Sequence, residues 1–345
     1  MANSTCASAK PALGNGVIPF LRPLSLVALA LLLCAGVHAQ NTVSVRGHVL
    51  SHWCYLLQGR NGTPLNPDTV TGADAQLAVM DYSADGAVDG EFTSSQIAAV
   101  KASGKVALAY MSIGEAESYR FYWDNTWTTK SGKLTANAPA WLAKQDPDWH
   151  GNFKVRYWMP EWQQIIFGND TDTAAKSYVD RIIDAGFDGV YLDIIDAFEY
   201  FGPDSGKNPE RPTAAADMAS FVEAIANYAR TTRGKSNFIV VPQNGSNIVD
   251  EISSSEKSDY FTAIDAIGAE DTFFYGPKGM NNAWHPQKYT IQCLTQFSDA
   301  SKPVLCIEYV NQKAKENRFY NTAAQYGWLP LVSVRALDRL ISQPQ

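Results

Sequence analysis

Asp188-Gly189-Val190-Tyr191-Leu192-Asp193-Ile194-Ile195-Asp196 reads as a short buried strand whose apolar run stops at two carboxylates three residues apart. Ahead of it, Tyr178 to Ala185 places Val179, Ile182 and Ile183 at helical spacing, and Gly186 is positioned to stop that helix. Helix, glycine and strand form one unit of an α/β fold. An acid at the strand's end stands where α/β barrels keep their chemistry.

The format recurs at Leu77 to Asp81, Val106 to Tyr110, Phe238 to Asn244, Ala266 to Glu270 and Pro303 to Glu308; Trp53 to Leu57 and Trp328 to Val334 complete eight expected strands. Helical segments are expected at Ser94 to Ser103, Thr173 to Ala185, Ala214 to Arg230, Pro286 to Ala300 and Lys313 to Tyr326. Short strands separated by helix-length segments predict a parallel sheet covered on both faces. Eight of them fit a single (β/α)₈ TIM barrel over residues 40–345, with an aromatic-rich insertion around 117–172. A doubly wound open sheet is the competing arrangement. No strand–helix junction carries the spaced glycines of a dinucleotide site, since Gly186 and Gly189 precede their strand.

Residues 1–39 read separately. Leu24 to Cys34 is an apolar run behind Arg22, and Val37-His38-Ala39 offers small residues where a signal peptidase reads. The run is short for a bilayer span. A cleavable secretory signal is expected, giving a secreted or periplasmic protein with no stable membrane insertion after cleavage. Cys54, Cys293 and Cys306 then remain. One disulfide and one free thiol would suit an exported chain, and three buried small apolar residues is the other reading. Without a Cys-x-x-Cys pair, and with His48, His52, His150 and His285 unpaired in spacing, no metal or cofactor is expected. Asp81-Tyr82-Ser83-Ala84-Asp85-Gly86 starts like a calcium loop, but Phe92 stands at its twelfth position, so a turn is expected.

The net charge of −7 is spread along the chain, and the absence of a basic patch argues against a nucleic-acid partner. A monomer is expected. Aromatic residues make up 12%, and Trp123, Trp127, Trp141, Trp149, Tyr157, Trp158 and Trp162 crowd one region. They are either core packing or flat faces on which sugar rings lie.

Asp81, Asp193, Glu270 and Glu308 each end an expected strand, and Glu115 follows just past another. In a barrel such ends converge on one face, whereas singly each acid would be solvated or cap a helix. Glycosidic hydrolysis needs one carboxyl that keeps a proton for the leaving oxygen and one that stays ionised. Crowding carboxylates raises some of their proton affinities. Asp193 projects from a rigid strand. Glu270, in Gly268-Ala269-Glu270-Asp271, has small neighbours that leave room for a ligand and the longer reach for proton delivery.

Several ordered stretches carry a family resemblance: Trp53 to Gly59, Asp81-Tyr82, Ala109 to Glu117, Met159-Pro160-Glu161-Trp162, Gly186 to Asp193, Val241 to Gly245, Ala269-Glu270-Asp271 and Pro303 to Tyr309. Together they resemble the endo-α-1,4-polygalactosaminidase family of glycoside hydrolases, family 114, over nearly all of residues 50–335. The resemblance implies a (β/α)₈ barrel that cleaves α-1,4-linked galactosamine polymers internally. Its catalytic aspartate and glutamate carry over to Asp193 and Glu270. Asp81, Tyr110, Glu115, Asp196, Asn244, Asp271 and Glu308 are the implied substrate contacts. After Asp193 the chain reads Ile194-Ile195-Asp196, where many members place an asparagine. A cationic amino-sugar polymer suits an acid-lined, aromatic-rich pocket. Other readings are a glycosidase for another α-linked glycan, a non-catalytic sugar-binding barrel, and a metal-dependent polysaccharide deacetylase, the last disfavoured by the scattered histidines.

Overall fold

The computed structural model describes residues 41–168, 176–203 and 209–343. The expected signal over 1–39 lies outside the described residues. A hairpin comes first, β1 (Val43–Val45) and β2 (His48–Leu50), turned at Arg46 and Gly47, which both take positive φ as a two-residue hairpin loop requires. β3 (Trp53–Leu56), α1 (Pro67–Thr71), β4 (Leu77–Asp81), α2 (Ser94–Ala102) and β5 (Val106–Ser112) follow. An excursion then carries β6 (Glu115–Glu117), β7 (Leu142–Gln145) and β8 (Asn152–Val155), an antiparallel sheet in the order β6-β8-β7, and α3 (Pro160–Ile166).

Alternation resumes with α4 (Tyr178–Ala185), β9 (Gly189–Asp193), α5 (Ala197–Phe201), α6 (Ala214–Asn227) and β10 (Ile239–Pro242). After α7 (Ile248–Glu251) and α8 (Ser254–Ala263) come β11 (Ile267–Glu270), α9 (Lys288–Asp299), β12 (Val304–Glu308), α10 (Lys313–Tyr326) and β13 (Leu329–Val332). All eight strands expected from sequence are present. Their helices stop and start on local chemistry: Ser177 caps α4 and Gly186, at φ 94°, ends it in the left-handed region that glycine enters freely. Helix α8 was not foreseen. It has little amphipathic pattern and is set by the Ser253/Glu256 capping box.

The eight strands run parallel as β3-β4-β5-β9-β10 and β11-β12-β13, and the bridge Gln243↔Gly268 joins the two sets. Successive side chains alternate between two apolar clusters. Ala78, Met80, Ala109, Leu192, Ala269 and Cys306 face the helices, against residues such as Ile97, Ile182 and Leu294. Trp53, Tyr55, Val79, Tyr110, Tyr191, Val241, Ile307 and Leu331 meet on the other face. Each fully buried aliphatic or aromatic side chain of this kind stabilises the fold by about 1.5–3 kcal/mol. Near β3 and β13, Trp53 Nε1 donates to Leu329 O at 3.2 Å and Leu57 N to Leu337 O at 2.9 Å. The Gln343 amide covers the free edge of β13, accepting from Val332 N at 3.0 Å and donating to Val332 O at 3.1 Å.

The disulfide expected of an exported chain is not formed: Cys54 on β3, Cys293 on α9 and Cys306 on β12 are free and buried on separate elements. They serve as small apolar core residues. The Asp81 to Gly86 stretch is a turn, closed by the Asp85 carboxylate accepting from Ala87 N at 3.0 Å and Ser83 Oγ at 3.2 Å. Among the described residues no helix is long and apolar enough to cross a membrane, and no group of three or more His, Cys, Asp or Glu is placed to hold a metal ion.

Candidate active site

Strand register decides which acids can meet. Ser112 pairs with Asp193 and Tyr110 with Tyr191, so the Tyr110 phenol, two residue pairs below and on the same face, reaches up to donate to Asp193 Oδ2 at 2.7 Å. The other oxygen, Oδ1, accepts from Ile194 N at 2.9 Å. Two strands away, Glu270 Oε1 accepts from the Tyr309 hydroxyl, and Asn244 brackets Glu270 by accepting from its backbone N–H at 3.0 Å and donating to Oε2 at 3.5 Å. Arg335, past β13, pairs with Asp271 and lies 3.9 Å from the centre of the Tyr309 ring.

Three residues at these strand ends hold left-handed backbone although none is glycine: Ile194 at φ 60°, Asn244 at φ 59° and Asp271 at φ 50°. A β-branched residue there is a true outlier, and such strain gathers where side chains must be aimed. Gly268 answers to a different demand. A Cβ there would lie 1.9 Å from the Tyr191 hydroxyl, so the space that Gly268 leaves is taken by the Tyr191 phenol rather than kept for a ligand.

Burial raises the proton affinity of Asp193 first and the charge of Glu270 second, pushing its pKa up to about 8. Glu270 is also raised by burial, against the opposing pull of the Tyr309 hydrogen bond and the Arg335 charge. Both acids are thus shifted towards their protonated forms, and at Asp193 the charge of Glu270 adds to the effect of burial. The groups that oppose the effect of burial differ: Tyr110 and the Ile194 amide at Asp193, Tyr309 and Arg335 at Glu270. Sequence reasoning did not single out Tyr309 or Arg335 as site residues.

The remaining expected site residues divide. Asp271 and Asn244 sit beside Glu270, and Asp196 is exposed three residues past Asp193. Asp81 is instead bound by Arg120, Nη1 to Oδ1 at 2.9 Å and Nη2 to Oδ2 at 2.8 Å, while Arg120 Nε holds Glu117 at 2.7 Å. Glu115, 1% exposed, takes Lys154 at 2.5 Å and Asn152 at 3.2 Å, and burial lifts its pKa to about 7. Glu308 is fully buried on the helix-facing side of β12 and accepts from Phe273 N at 2.6 Å and Phe274 N at 3.2 Å. Asp81, Glu115 and Glu308 thus spend their oxygens inside the protein. Of the aromatic crowd, Trp141, Tyr157 and Trp162 are buried in edge-on and tilted contacts, and Trp149 is 60% exposed.

A stability test follows from the raised Asp193. A carboxyl that binds its proton more tightly when folded costs stability as pH climbs from its unfolded value, about 4, through its folded value. That window closes near 8. Asp193→Asn is expected to raise Tm at pH 8.5, by roughly 2–4 °C for each kcal/mol relieved, with little gain at pH 4.5. Equal Tm values for both proteins at pH 8.5 would show that the buried charge carries no penalty.

Two carboxyls at the ends of parallel strands, each accepting from a tyrosine hydroxyl, are groups of the kind that glycosidic hydrolysis requires. The chain belongs to glycoside-hydrolase family GH114, whose model matches residues 35–344. The resemblance read from sequence is thereby borne out, and the protein is a glycoside hydrolase. Similar chains include proteins of Methanocaldococcus jannaschii, 35% identical and covering 84% of this chain and 77% of the relative, and Deinococcus radiodurans, 36% identical and covering 86% and 84%. Among solved structures, Aspergillus fumigatus Ega3 in complex with galactosamine aligns at TM-score 0.58 and 19% identity, covering 88% of this chain and 97% of Ega3. The glycoside hydrolase domain of PelA from Pseudomonas aeruginosa aligns at TM-score 0.55 and 16% identity, over 86% of this chain and all of that domain.

Proposed function

We propose that this protein is a secreted, endo-acting hydrolase of α-1,4-linked galactosamine polymers, built on a closed (β/α)₈ barrel with Asp193 and Glu270 as its catalytic pair. The observation that carries the reading is the placement of those two carboxyls at the ends of the parallel strands β9 and β11, each accepting a hydrogen bond from a tyrosine hydroxyl. Support for the barrel comes from the single apolar cluster shared by strands of both parallel sets and from the contacts linking β3 to β13. The amino sugar is supported by the galactosamine complex of Ega3, and by the acids Asp193, Asp196, Glu270 and Asp271 at these strand ends, whose charge attracts ammonium groups.

In the proposed reaction Glu270 passes its proton to the glycosidic oxygen as the bond to the anomeric carbon breaks. Asp193 attacks or stabilises the cationic centre, and water supplies the final hydroxyl. Positive charge developing beside Asp193 favours its anion. Glu270, raised by burial, is then the carboxyl that holds the proton for the leaving oxygen. Tyr110 and the Ile194 amide both donate to Asp193, an arrangement that serves the ionised form.

The test is digestion of partly deacetylated α-1,4-galactosaminan beside chitosan and an α-1,4-glucan, read by product size. The expected result is rapid shortening of the galactosaminan alone. Shortening of the glucan instead would favour another α-linked glycan, and no cleavage of any polymer would favour a sugar-binding barrel. For export, N-terminal sequencing of protein from outside the cytoplasm is expected to begin near Gln40.

A further inference from the structure

Arg335 engages three partners at once. Its guanidinium covers the Tyr309 ring at 3.9 Å, Nη2 donates to Asp271, and Nε donates to Gly279 O at 3.4 Å. Tyr309, 3% exposed, donates its hydroxyl to Glu270. Asp271 follows Glu270 directly in the chain, so Glu270, Tyr309, Arg335 and Asp271 close a ring of contacts spanning the ends of β11, β12 and β13. We propose that Arg335 is a positioning residue: it holds the Tyr309 phenol against Glu270 and, together with Asp271, sets the charge balance around that carboxyl. This rests on the catalytic pair assigned above.

An ordinary surface ion pair would contribute little and would need no aromatic ring. Here the cation lies over a buried phenol, where its attraction to the ring face fixes the ring's orientation. The groups acting on Glu270 come from every neighbouring strand: Asn244 after β10, Asp193 and Tyr191 on β9, Tyr55 on β3, Tyr309 after β12, Asp271 beside it and Arg335 after β13. Arg335 supplies positive charge that favours the Glu270 anion, and Asp271 supplies negative charge that opposes it. The two therefore make opposite demands on the pair.

The experiment measures kcat, KM and the pH dependence of kcat/KM on the galactosamine polymer for Arg335→Met, Arg335→Lys and Asp271→Asn, with Tm recorded for each. Arg335→Met is expected to move the profile to higher pH by about 0.5 unit or more. Its kcat should fall about tenfold with KM within twofold, the pattern of lost transition-state interaction. Asp271→Asn should move the profile to lower pH. Arg335→Lys, keeping the charge, should keep the wild-type limbs while losing part of the turnover. A purely structural role would lower activity without moving the limbs in opposite directions. Unshifted limbs in Arg335→Met and Asp271→Asn, or shifts of the same sign, overturn the proposal, and Asp271→Asn with Arg335→Lys decide it should Arg335→Met fail to fold. When Glu270→Gln is inactive, those outcomes remove this inference alone, whereas full activity in Glu270→Gln removes the catalytic pair and this inference with it.

Discussion

Glu270→Gln and Asp193→Asn are each expected to lower turnover on the galactosamine polymer by about 10²- to 10⁴-fold, with polymer binding little changed. Both substitutions keep shape and most hydrogen-bonding capacity while removing the group that, in the proposed reaction, transfers a proton or meets a cation. The lost interaction is one made chiefly in the transition state, so kcat should fall more than KM rises. The coupling adds a second readout. Because the Glu270 charge is the second-largest cause of the raised Asp193 pKa, Glu270→Gln should let Asp193 titrate below about 8, while burial, the larger cause, keeps it above an ordinary aspartate. Carboxyl titration by NMR in the two proteins would show this directly. Full activity in Glu270→Gln would place the acid elsewhere. With Glu308 committed to the Phe273 and Phe274 amides, Asp271 would then be the next residue to replace.

The strands were legible because a strand buried on both faces leaves an unbroken apolar run, as in Val190-Tyr191-Leu192. The acid at the end of such a run is equally visible, and Asp193 and Glu270 both fall on the face shared by Tyr191 and Tyr309. Which acids turn inward is a matter of parity, and there the reading of Glu308 ran out. Along β12, Leu305 and Ile307 point to one cluster and Cys306 to the other, so Glu308 points with Cys306 towards the helices while the next residue, Tyr309, turns to Glu270. Counting the alternation would have found Tyr309. Nothing local would have found the partners of Asp81 or Glu115, since Arg120 and Lys154 each lie 39 residues further along the chain. Helix α8 was missed for another reason: its signal is a capping box and not a periodic apolar face.

Arg120→Ala is expected to destabilise the protein by about 3–5 kcal/mol, because it leaves buried carboxylates without their cation. The Arg120 side chain is fully buried, and it holds Asp81 at the end of β4 and Glu117 on β6 simultaneously. Its guanidinium also lies 4.8 Å from the Tyr119 ring centre and 5.4 Å from that of Tyr82. The triad thus ties the β6-β8-β7 excursion to the parallel strands. It also explains why a strand-end acid such as Asp81 works as an anchor: one guanidinium occupies both its oxygens, leaving them no share in the chemistry of Asp193. At neutral pH the loss corresponds to a fall in Tm of roughly 6–20 °C. The fall should shrink near pH 4.5. Burial raises the Asp81 pKa against the pull of Arg120; without Arg120 that acid holds its proton more tightly when folded, so the variant loses stability as pH rises and regains it as pH falls. Replacing the triad as a whole with apolar residues of similar volume should cost far less than removing Arg120 alone, since the damage lies in the unpaired charges. A Tm for Arg120→Ala within 2 °C of the parent across that pH range would show that water reaches Asp81 and Glu117, and that the anchor is not the ion triad.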